Sequence, residues 1–532
     1  AVTGGTQALS GVNSYSGTTT VSGGTLQAGA ANTFSAASAF VANAGGTFDL
    51  NGFNQTMASL GNAGTIRFGT APDTTLTVAG NYAGNGGTLL FNTVLGGDGS
   101  ATDRLVAGST SGTSTVRVNN VGGGGAQTAD GIKLIDVSGA SNGSFTLAGN
   151  YTLQGQQAIV AGAYGYTLQK NGISTPSDGD WYLRSSLVNP ATPMPAGPLY
   201  QPGVPLYENY AQVLLGMNAL PSLQDRVGNR YWGGGPSDAM ARMGVAPPAT
   251  ADSSGTQSAF WGRIQGGQSS LQPSNTTGAT TSSDDFKAQA GLDGLALENS
   301  YGRLIVGLTL QYGLTTAYVN SLFGSGRIRA QGTGVGATAT WYGDNGVYLD
   351  GQMQTMFYRA DLTSDLVGSM THGNEGLGYA FSVEGGKRIT IGNGFSLTPQ
   401  AQLAYSKVDF DGFADRFGAL VSLANADSLL GRVGLMLNHQ KSWYDGTSIV
   451  RSDLYAIGNL HYEFLDGSKV DVSGTSFASA NDRLWGSIGG GGSYSWANGR
   501  YTLFGEATYR ASLQDAAANH GYKGSAGFRV VW

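Results

Sequence analysis

The sequence predicts an all-β protein in two parts: a β-solenoid, then a 12-stranded antiparallel transmembrane β-barrel with an α-helix in its pore. Three observations predict it. From about Phe260 to Trp532, short segments alternate apolar with polar residues, and no helical pattern interrupts them. Twelve such segments can be placed, and their connections alternate short with long. From Ala1 to about Gly125, a Gly-Thr-apolar-x-apolar unit recurs at intervals of roughly 20 residues.

The alternation is plainest at the end of the chain. Tyr522, Ala526, Phe528, Val530 and Trp532 share one face of the last segment, and Lys523, Ser525 and Arg529 share the other. The segment before repeats the pattern, with Tyr501, Leu503, Ala507 and Tyr509 opposite Thr502, Glu506, Thr508 and Arg510. Charges on one face, with aromatics at the ends of the apolar face, fit a membrane barrel with a wet lumen, whereas a soluble sandwich buries its apolar face. The segments fall near 258–270, 283–298, 301–319, 325–343, 346–362, 375–392, 395–411, 422–442, 449–465, 482–497, 500–514 and 519–532. Twelve is even, as single-chain bacterial outer-membrane barrels require. Short turns such as Gly392-Asn393-Gly394 and Ala497-Asn498-Gly499 alternate with longer connections, Ala360–Gly376 and Phe410–Asp427 among them. The short turns mark the periplasmic end, where Trp532 also finishes.

Composition agrees. The 532 residues include 87 Gly and only 12% charged residues, a turn-rich β composition. With no Cys, stability has to come from repetitive stacking or from the bilayer. A net charge of −6 argues against a nucleic-acid partner, which needs a concentrated basic face. No run of about 20 apolar residues is present for a transmembrane helix. The chain opens at Ala1-Val2-Thr3 without a Met or a signal sequence, which reads as a mature product or a fragment of a longer precursor.

In order, residues 1–130 read as solenoid and 131–185 as a denser β cap that shields the open end of the solenoid core. The cap is rich in aromatics and ends in Asp180-Trp181-Tyr182-Leu183-Arg184-Ser185. Residues 186–205 form a Pro-rich linker. Residues 206–230 carry the strongest helical pattern: Tyr207, Tyr210, Leu214 and Met217 share a stripe, with Leu206, Val213 and Leu220 alongside at seven-residue spacing. Pro221 opens a second helical run, Ser222 to Val227, with a kink. About 25 helical residues span roughly 37 Å, enough to cross a bilayer. With Glu208, Asn209, Gln212, Asn218 and Asp225 the segment is too polar for lipid but suited to a polar lumen. Residues 231–257 form a second linker, and 258–532 the barrel.

Charges on the predicted lumen faces include Arg263, Glu384, Arg432, Glu463, Glu506, Arg510 and Arg529, together with Lys287, Asp293, Asp350 and Asp453. They either pair across strands and hydrate the lumen, or grip the polar side chains of the helix. Catalytic constellations are thin. Four histidines, no cysteine and no His-Glu-x-x-His leave no cofactor or metal to predict. Gly139-Ala140-Ser141-Asn142-Gly143 matches a nucleophile-elbow pattern without the strand-turn-helix context that pattern requires, and no histidine precedes His372.

A Gly/Thr/Asn-rich solenoid, the Asp180–Ser185 ending, a Pro-rich tether, the helix Leu-Tyr-Glu-Asn-Tyr-Ala-Gln-Val-Leu-Leu and a twelve-strand segment ending Phe-Arg-Val-Val-Trp together resemble a classical (type Va) autotransporter. The resemblance covers the whole chain and rests on the ordered set, with Trp261-Gly262-Arg263, Pro399–Leu403 and Tyr462-Glu463-Phe464 as supporting segments. It implies a right-handed β-helical passenger displayed at the cell surface through its own outer-membrane barrel, with residues 131–185 as an autochaperone that folds first. Phe528, Val530 and Trp532 would be read by the barrel-assembly machinery, after periplasmic chaperones have escorted the chain. The barrel would be a monomer in outer-membrane lipid. An adhesin-like passenger binding host or cell-surface ligands is the first function class. The alternative is an enzymatic passenger, protease or esterase, with its catalytic part upstream of residue 1. Relatives that cut themselves in the pore do so at an Asn-Asn pair, which this helix lacks; its sequence there is Met217-Asn218-Ala219.

Overall fold

The computed structural model describes residues 1–188, 195–228, 258–446 and 448–532. They form two compact units. One is Ala1–Val204 with Ala414–Leu420 and Val472–Thr475; the other is Pro205–Phe413, Val421–Asp471 and Ser476–Trp532.

The first unit is a solenoid of parallel ladders. Thr6–Leu9, Gly24–Ala28, Gly46–Asp49, Thr65–Arg67 and the later half of Thr75–Thr93 stack in one ladder, with Thr6, Thr25, Thr47, Thr65 and Thr88 in register. The Gly-Thr repeat is therefore the pitch of the coil. One residue on, Leu26, Phe48, Ile66 and Leu89 form an inward column, each no more than 2% exposed. Burying such a side chain is worth roughly 1.5–3 kcal/mol, and an isolated coil cannot close its own core. A second ladder stacks Thr19–Val21, Ala39–Ala42 and Ser59–Asn62. The glycine of the repeat is needed for close approach: a Cβ on Gly64 would lie 2.2 Å from the carbonyl oxygen of Gly46 on the preceding coil.

At Ile132–Val137 the pattern changes. This strand runs parallel to Arg104–Asn120 on one edge and antiparallel to Trp181–Arg184 on the other. Tyr164–Lys170, Gln156–Ala161 and Tyr151–Leu153 then follow as an antiparallel meander, so no further coil is templated. Trp181–Arg184 is the locking strand. Asp180 takes the Lys133 ammonium at 2.5 Å and the Val137 amide at 2.7 Å. Trp181 packs edge-on against Phe145 at 5.2 Å, and Leu183 is fully buried. Arg184 donates to the carbonyls of Asp130 and Asn171, at 2.8 and 2.7 Å. Within the expected Pro-rich linker, Ser186–Val188 pairs antiparallel with Pro195–Pro198, a two-stranded ladder in which proline needs no sheet neighbour on its far edge.

The second unit is a closed barrel. Its twelve long strands are Ser258–Leu271, Thr280–Asn299, Gly302–Ser321, Gly324–Gly343, Val347–Ser364, Gly368–Lys387, Phe395–Phe410, Leu420–Asp445, Ser448–Glu463, Leu484–Trp496, Tyr501–Ser512 and His520–Val531. The first and last pair from Ala259↔Val531 to Ser270↔His520, which leaves no edge. Each strand turns its apolar residues outward: Leu308 and Leu310 are 71% and 65% exposed, whereas Thr309 and Gln311 between them are 5% and 6% exposed.

At the short-turn end the chain reverses on Asn393 and Gly394, and on Ala497, Asn498 and Gly499, all at positive φ. One expected connection is different. Ala360–Gly376 is not an open loop, because the fifth strand continues to Ser364 and the sixth begins at Gly368. Three residues, Asp365–Val367, make the turn, with Gly368 at φ 81°. The polar, Thr- and Ser-rich sequence there still alternates, and alternation in a strand that has risen beyond lipid no longer needs apolar residues. The long connection between Glu463 and Leu484 likewise holds a hairpin, Ser468–Val472 with Thr475–Ala480.

Candidate functional site

The lumen of the barrel holds a broken helix. Segment α1 spans Val204–Met217 and α2 spans Leu223–Val227. The helical segment expected over 206–230, with its kink at Pro221, is broken at 218–222, where Pro221 removes an amide donor and its ring collides with the preceding turn. Ser222 restarts the helix by accepting the Asp225 amide at 3.2 Å, and Gly228 ends it at φ 63°. Residues 229–257, the end of the expected helix and all of the second linker, lie outside the described residues.

The helix enters at the end carrying the long connections. Glu208 takes the amides of Thr276 and Thr277 at 2.6 and 3.1 Å. Tyr207 packs edge-on against Phe413 at 5.7 Å. Tyr210 lies 4.6 Å from the ring of Phe410 and donates to Asn374 at 3.0 Å. Gln212 reaches Ser468 and the Ser479 carbonyl, at 3.1 and 2.9 Å. Val213, Leu214 and Met217 are buried, and Leu220, in the break, is half-buried. α1 is thus held by aromatic contacts and neutral hydrogen bonds, with Glu208 as its one charged anchor.

The break is held by amides. Asn218 donates to the Tyr379 carbonyl at 3.0 Å and to Ser406 at 2.9 Å, and it accepts from Gln354 at 3.0 Å. Gln352 and Gln402 both donate to the Pro221 carbonyl, at 3.0 and 3.2 Å. Lys287 donates to the Ala219 carbonyl at 3.1 Å. The wall strands carry glycine where the plug comes close: a Cβ on Gly378 would stand 3.1 Å from the Asn218 side chain.

α2 lies at the short-turn end, where Leu223 and Val227 pack on Trp261 with Tyr342 and Tyr348 beside them. It is held by charge. Asp225 receives Arg263 at 3.1 Å, Lys523 at 2.6 Å and Ser525 at 3.0 Å. Arg226 pairs with Asp350, both side chains fully buried. Glu384 accepts the Leu223 amide at 3.0 Å and the Tyr348 hydroxyl at 2.8 Å, and forms an ion pair with Arg432 at 2.9 Å. Removing one partner of such a buried pair strands the other charge and costs about 3–5 kcal/mol.

The lumen charges named from sequence therefore divide. Arg263 and Glu384 touch the helix, and Arg432 acts through Glu384. Lys287 and Asp350, also named from sequence, touch the helix too, through the Ala219 carbonyl and Arg226. Glu463, Glu506, Arg510 and Arg529 bond to the wall. Glu463 takes the amides of Leu429 and Leu465 at 2.9 and 3.1 Å, and Glu506 accepts from Tyr455 at 2.9 Å. Arg510 lies 5.4 Å over the Trp485 ring, and Arg529 donates to Thr502 at 3.3 Å. The wall residues that sequence reading did not single out are the glutamines 352, 354 and 402. Their inward parity was legible, but a neutral amide on a barrel strand carries no signal that marks it as a plug contact.

On the outer face, Phe528 and Trp532 are exposed and Val530 is half-exposed, with Phe528 5.7 Å from Phe260 across the closing seam. Ser141, the centre of the elbow-like motif, donates to the Gly179 carbonyl at 2.7 Å within the cap. Among the described residues no three His, Asp or Glu side chains gather as metal ligands.

A closed antiparallel barrel with a lipid-facing apolar belt and a helix in its polar lumen is the architecture of an outer-membrane protein. Comparison with known proteins gives the family. The family model for the autotransporter beta-domain matches residues 260–508, that for autochaperone domain type 1 matches 55–168, and that for the passenger-associated transport repeat matches 4–28. The autochaperone match begins well inside the ladders of the solenoid and ends before the locking strand.

An adhesin autotransporter of Brucella suis, BmaC, is 47% identical over 479 residues, covering 88% of this chain and 14% of that protein. The uncharacterized protein YdeU of Escherichia coli is 30% identical over 69% of this chain and 79% of its own length. The E. coli adhesin AIDA-I is 30% identical over 68% of this chain and 27% of its own length. The chain thus spans a small part of the adhesins it matches. Among solved structures, the transport unit of AIDA-I aligns over 57% of this chain and 99% of its own, at 19% identity and a TM-score of 0.44. The chain belongs to the autotransporter family, with its barrel in the outer membrane and its passenger exposed at the cell surface.

Proposed function

We propose that this chain is the exporting and anchoring end of an adhesin, in which the barrel delivers the solenoid to the cell surface and the helix then closes the pore. The observation that carries the reading is the course of α1 and α2. A single chain segment runs down the lumen from the long-connection end to the short-turn end, bonded to the wall along its length, as the trailing end of an exported polypeptide would be. Folding of the cap outside the cell, with later coils templated on it, supplies direction without ATP. The domain limits that go with this reading are a passenger of residues 1–185, tethered by 186–205, plugged by 206–230 and anchored by 258–532.

The outward Phe528, Val530 and Trp532 are proposed as the strand signal read by the barrel-assembly machinery, after periplasmic chaperones have carried the unfolded chain. The passenger is proposed to act by binding a host or cell-surface ligand and not by catalysis. The name of the Brucella relative supports this, as does the Thr-, Ser-, Asn- and Gln-rich outer face of the solenoid. The test is surface display in a Gram-negative host. With the full chain behind a signal sequence, external protease should remove the passenger and leave the barrel. Replacing Phe528, Val530 and Trp532 together by Ser should abolish both display and heat-resistant barrel. Display that persists without the barrel strands would sink the proposal, and passenger-coated cells that gain no attachment to host cells would remove its adhesive half.

A further inference from the structure

The apolar belt of the barrel has a distinctive edge on the fourth and fifth strands. Descending the fourth strand from its long-connection end, the outward residues are Arg327, Arg329, Gln331, Thr333 and Val335. On the fifth strand Arg359 follows directly on Phe357, which is 58% exposed. Two residues along a strand are about 6.6 Å, so the guanidinium group stands one step above the last apolar ring. The register makes these arginines neighbours: Arg329 lies opposite Asp361, and Gln331 opposite Arg359. On the other flank Arg327 lies opposite Tyr318 and Arg329 opposite Thr316.

Three groups of opposite or titratable charge stand near them: Asp361, His372 and Glu375. Asp361 is committed to His372 at 2.7 Å and to the Gly373 amide at 2.7 Å. Glu375 stands opposite Arg359 in the register but makes no ion pair with it. Among the described residues none of the three guanidinium groups has a carboxylate within ion-pairing distance. The Arg359 group lies over Gly373, where a Cβ would stand 2.9 Å from its terminal nitrogen. Gly373 has φ 64°, a conformation that favours glycine, and its bare backbone gives that side chain its seat. Unpaired, outward arginines at the polar limit of a lipid-facing belt sit at the depth of lipid phosphates, and Arg binds phosphate with two parallel hydrogen bonds.

We propose that Arg327, Arg329 and Arg359 form a binding site for the phosphate groups of an outer-leaflet lipid, which fixes the depth and rotation of the barrel in its membrane. The site is independent of the pore and of the plug. Charge complementarity selects a lipid headgroup that carries phosphates, and the apolar wall below it at Phe357, Tyr312 and Leu314 receives the acyl chains.

The test uses the full chain in non-ionic detergent, titrated with bisphosphorylated lipid A, with the same lipid stripped of its phosphates, and with inorganic phosphate, and read by native mass spectrometry. The expected result is binding of bisphosphorylated lipid A at least about tenfold tighter than that of the triple variant R327Q/R329Q/R359Q, a difference that disappears with the dephosphorylated lipid. The triple Lys variant, which keeps charge but loses the fork, should fall between. Glu375→Gln should tighten binding, and it probes the same site should the triple Gln variant fail to fold. Equal binding by parent and triple Gln variant would overturn the proposal. So would competition by inorganic phosphate at concentrations equal to the lipid, which would show an anion site with no use for the lipid.

Discussion

The solenoid and the barrel use the same alternating strand and place its two faces oppositely. In the solenoid, Leu26, Phe48, Ile66 and Leu89 point inward, and the outside is Thr, Ser, Asn and Gln. In the barrel, Leu308, Ile488 and Trp532 point outward, and the inside is Thr, Gln and paired charge. Alternation alone does not say which face is buried. Spacing and residue size do. Most solenoid strands run three to five residues between glycine corners, and the two long ones, Thr75–Thr93 and Arg104–Asn120, pair in parallel, so all of them stack coil on coil. Strands of 12 to 26 residues, each antiparallel to the next, can only close on themselves, and the space enclosed by a twelve-stranded wall is too wide for apolar side chains to fill. A wide interior must be wet or plugged, and this one is plugged by a helix that is itself polar.

The largest effects should come from breaking the two interiors. In the barrel, Asp350→Ala strands Arg226 and should cost about 3–5 kcal/mol in urea unfolding from vesicles, whereas a double Arg226→Met, Asp350→Leu variant should recover most of it. In the solenoid, Leu89→Ala should cost about 2–5 kcal/mol, seen as faster hydrogen exchange in the neighbouring coils at Ile66 and Val116 and not in the barrel. Recovery by the apolar double variant belongs to the barrel alone.

Glycine sharpens the contrast further. Gly64→Ala forces a Cβ against the backbone of the preceding coil and should cost about 1–3 kcal/mol, while a Cβ on the outward Gly524 meets nothing within 4 Å. Gly524→Ala should therefore change barrel stability by less than about 0.5 kcal/mol. Equal penalties at the two sites would mean that the repeat glycines serve flexibility and not close stacking.

The smallest effect concerns acid. Burial alone would push the Asp178 carboxyl up, but donors from Thr175, Tyr182 and the Asp180 amide hold it below its ordinary value. Asp130 behaves alike through Ser174. Such depressed groups contribute stability that is full above the unfolded-state value of about 3.9 and is lost as pH falls through their folded values. Asp103, pushed up mainly by burial, has the opposite sign and gains stability as pH falls. Asp178→Asn should therefore raise hydrogen exchange around the locking strand at neutral pH, where the carboxylate's contribution is full, and flatten its further rise in acid; an unchanged acid profile would place the sensitivity elsewhere.

Much of this was legible in the sequence because it is periodic. Thr25, Thr47, Thr65 and Thr88 announce the coil, and Tyr522 to Trp532 announce the lipid face. What was not legible is where periodicity meets a partner far along the chain. Pro221 marked the kink, but nothing in the sequence told that five residues, 218–222, would leave the helix to bond with Gln354, Gln352 and Gln402. Nor did the charges at 463, 506, 510 and 529 differ in pattern from Arg263 and Glu384; Glu506 lies opposite Ser525, which bonds to Asp225, and yet takes the Tyr455 hydroxyl of the wall. The 360–376 connection was read as a loop because its residues are polar, although alternation there persists outside the lipid.

The central claim is that α1 and α2 fill the lumen and are held there by the wall. Single-channel conductance in planar bilayers tests it most directly, comparing the full chain with one lacking Val204–Val227. The account predicts a nearly closed pore for the full chain and a several-fold larger, stable conductance without the helix. Equal conductance of the two chains would contradict it.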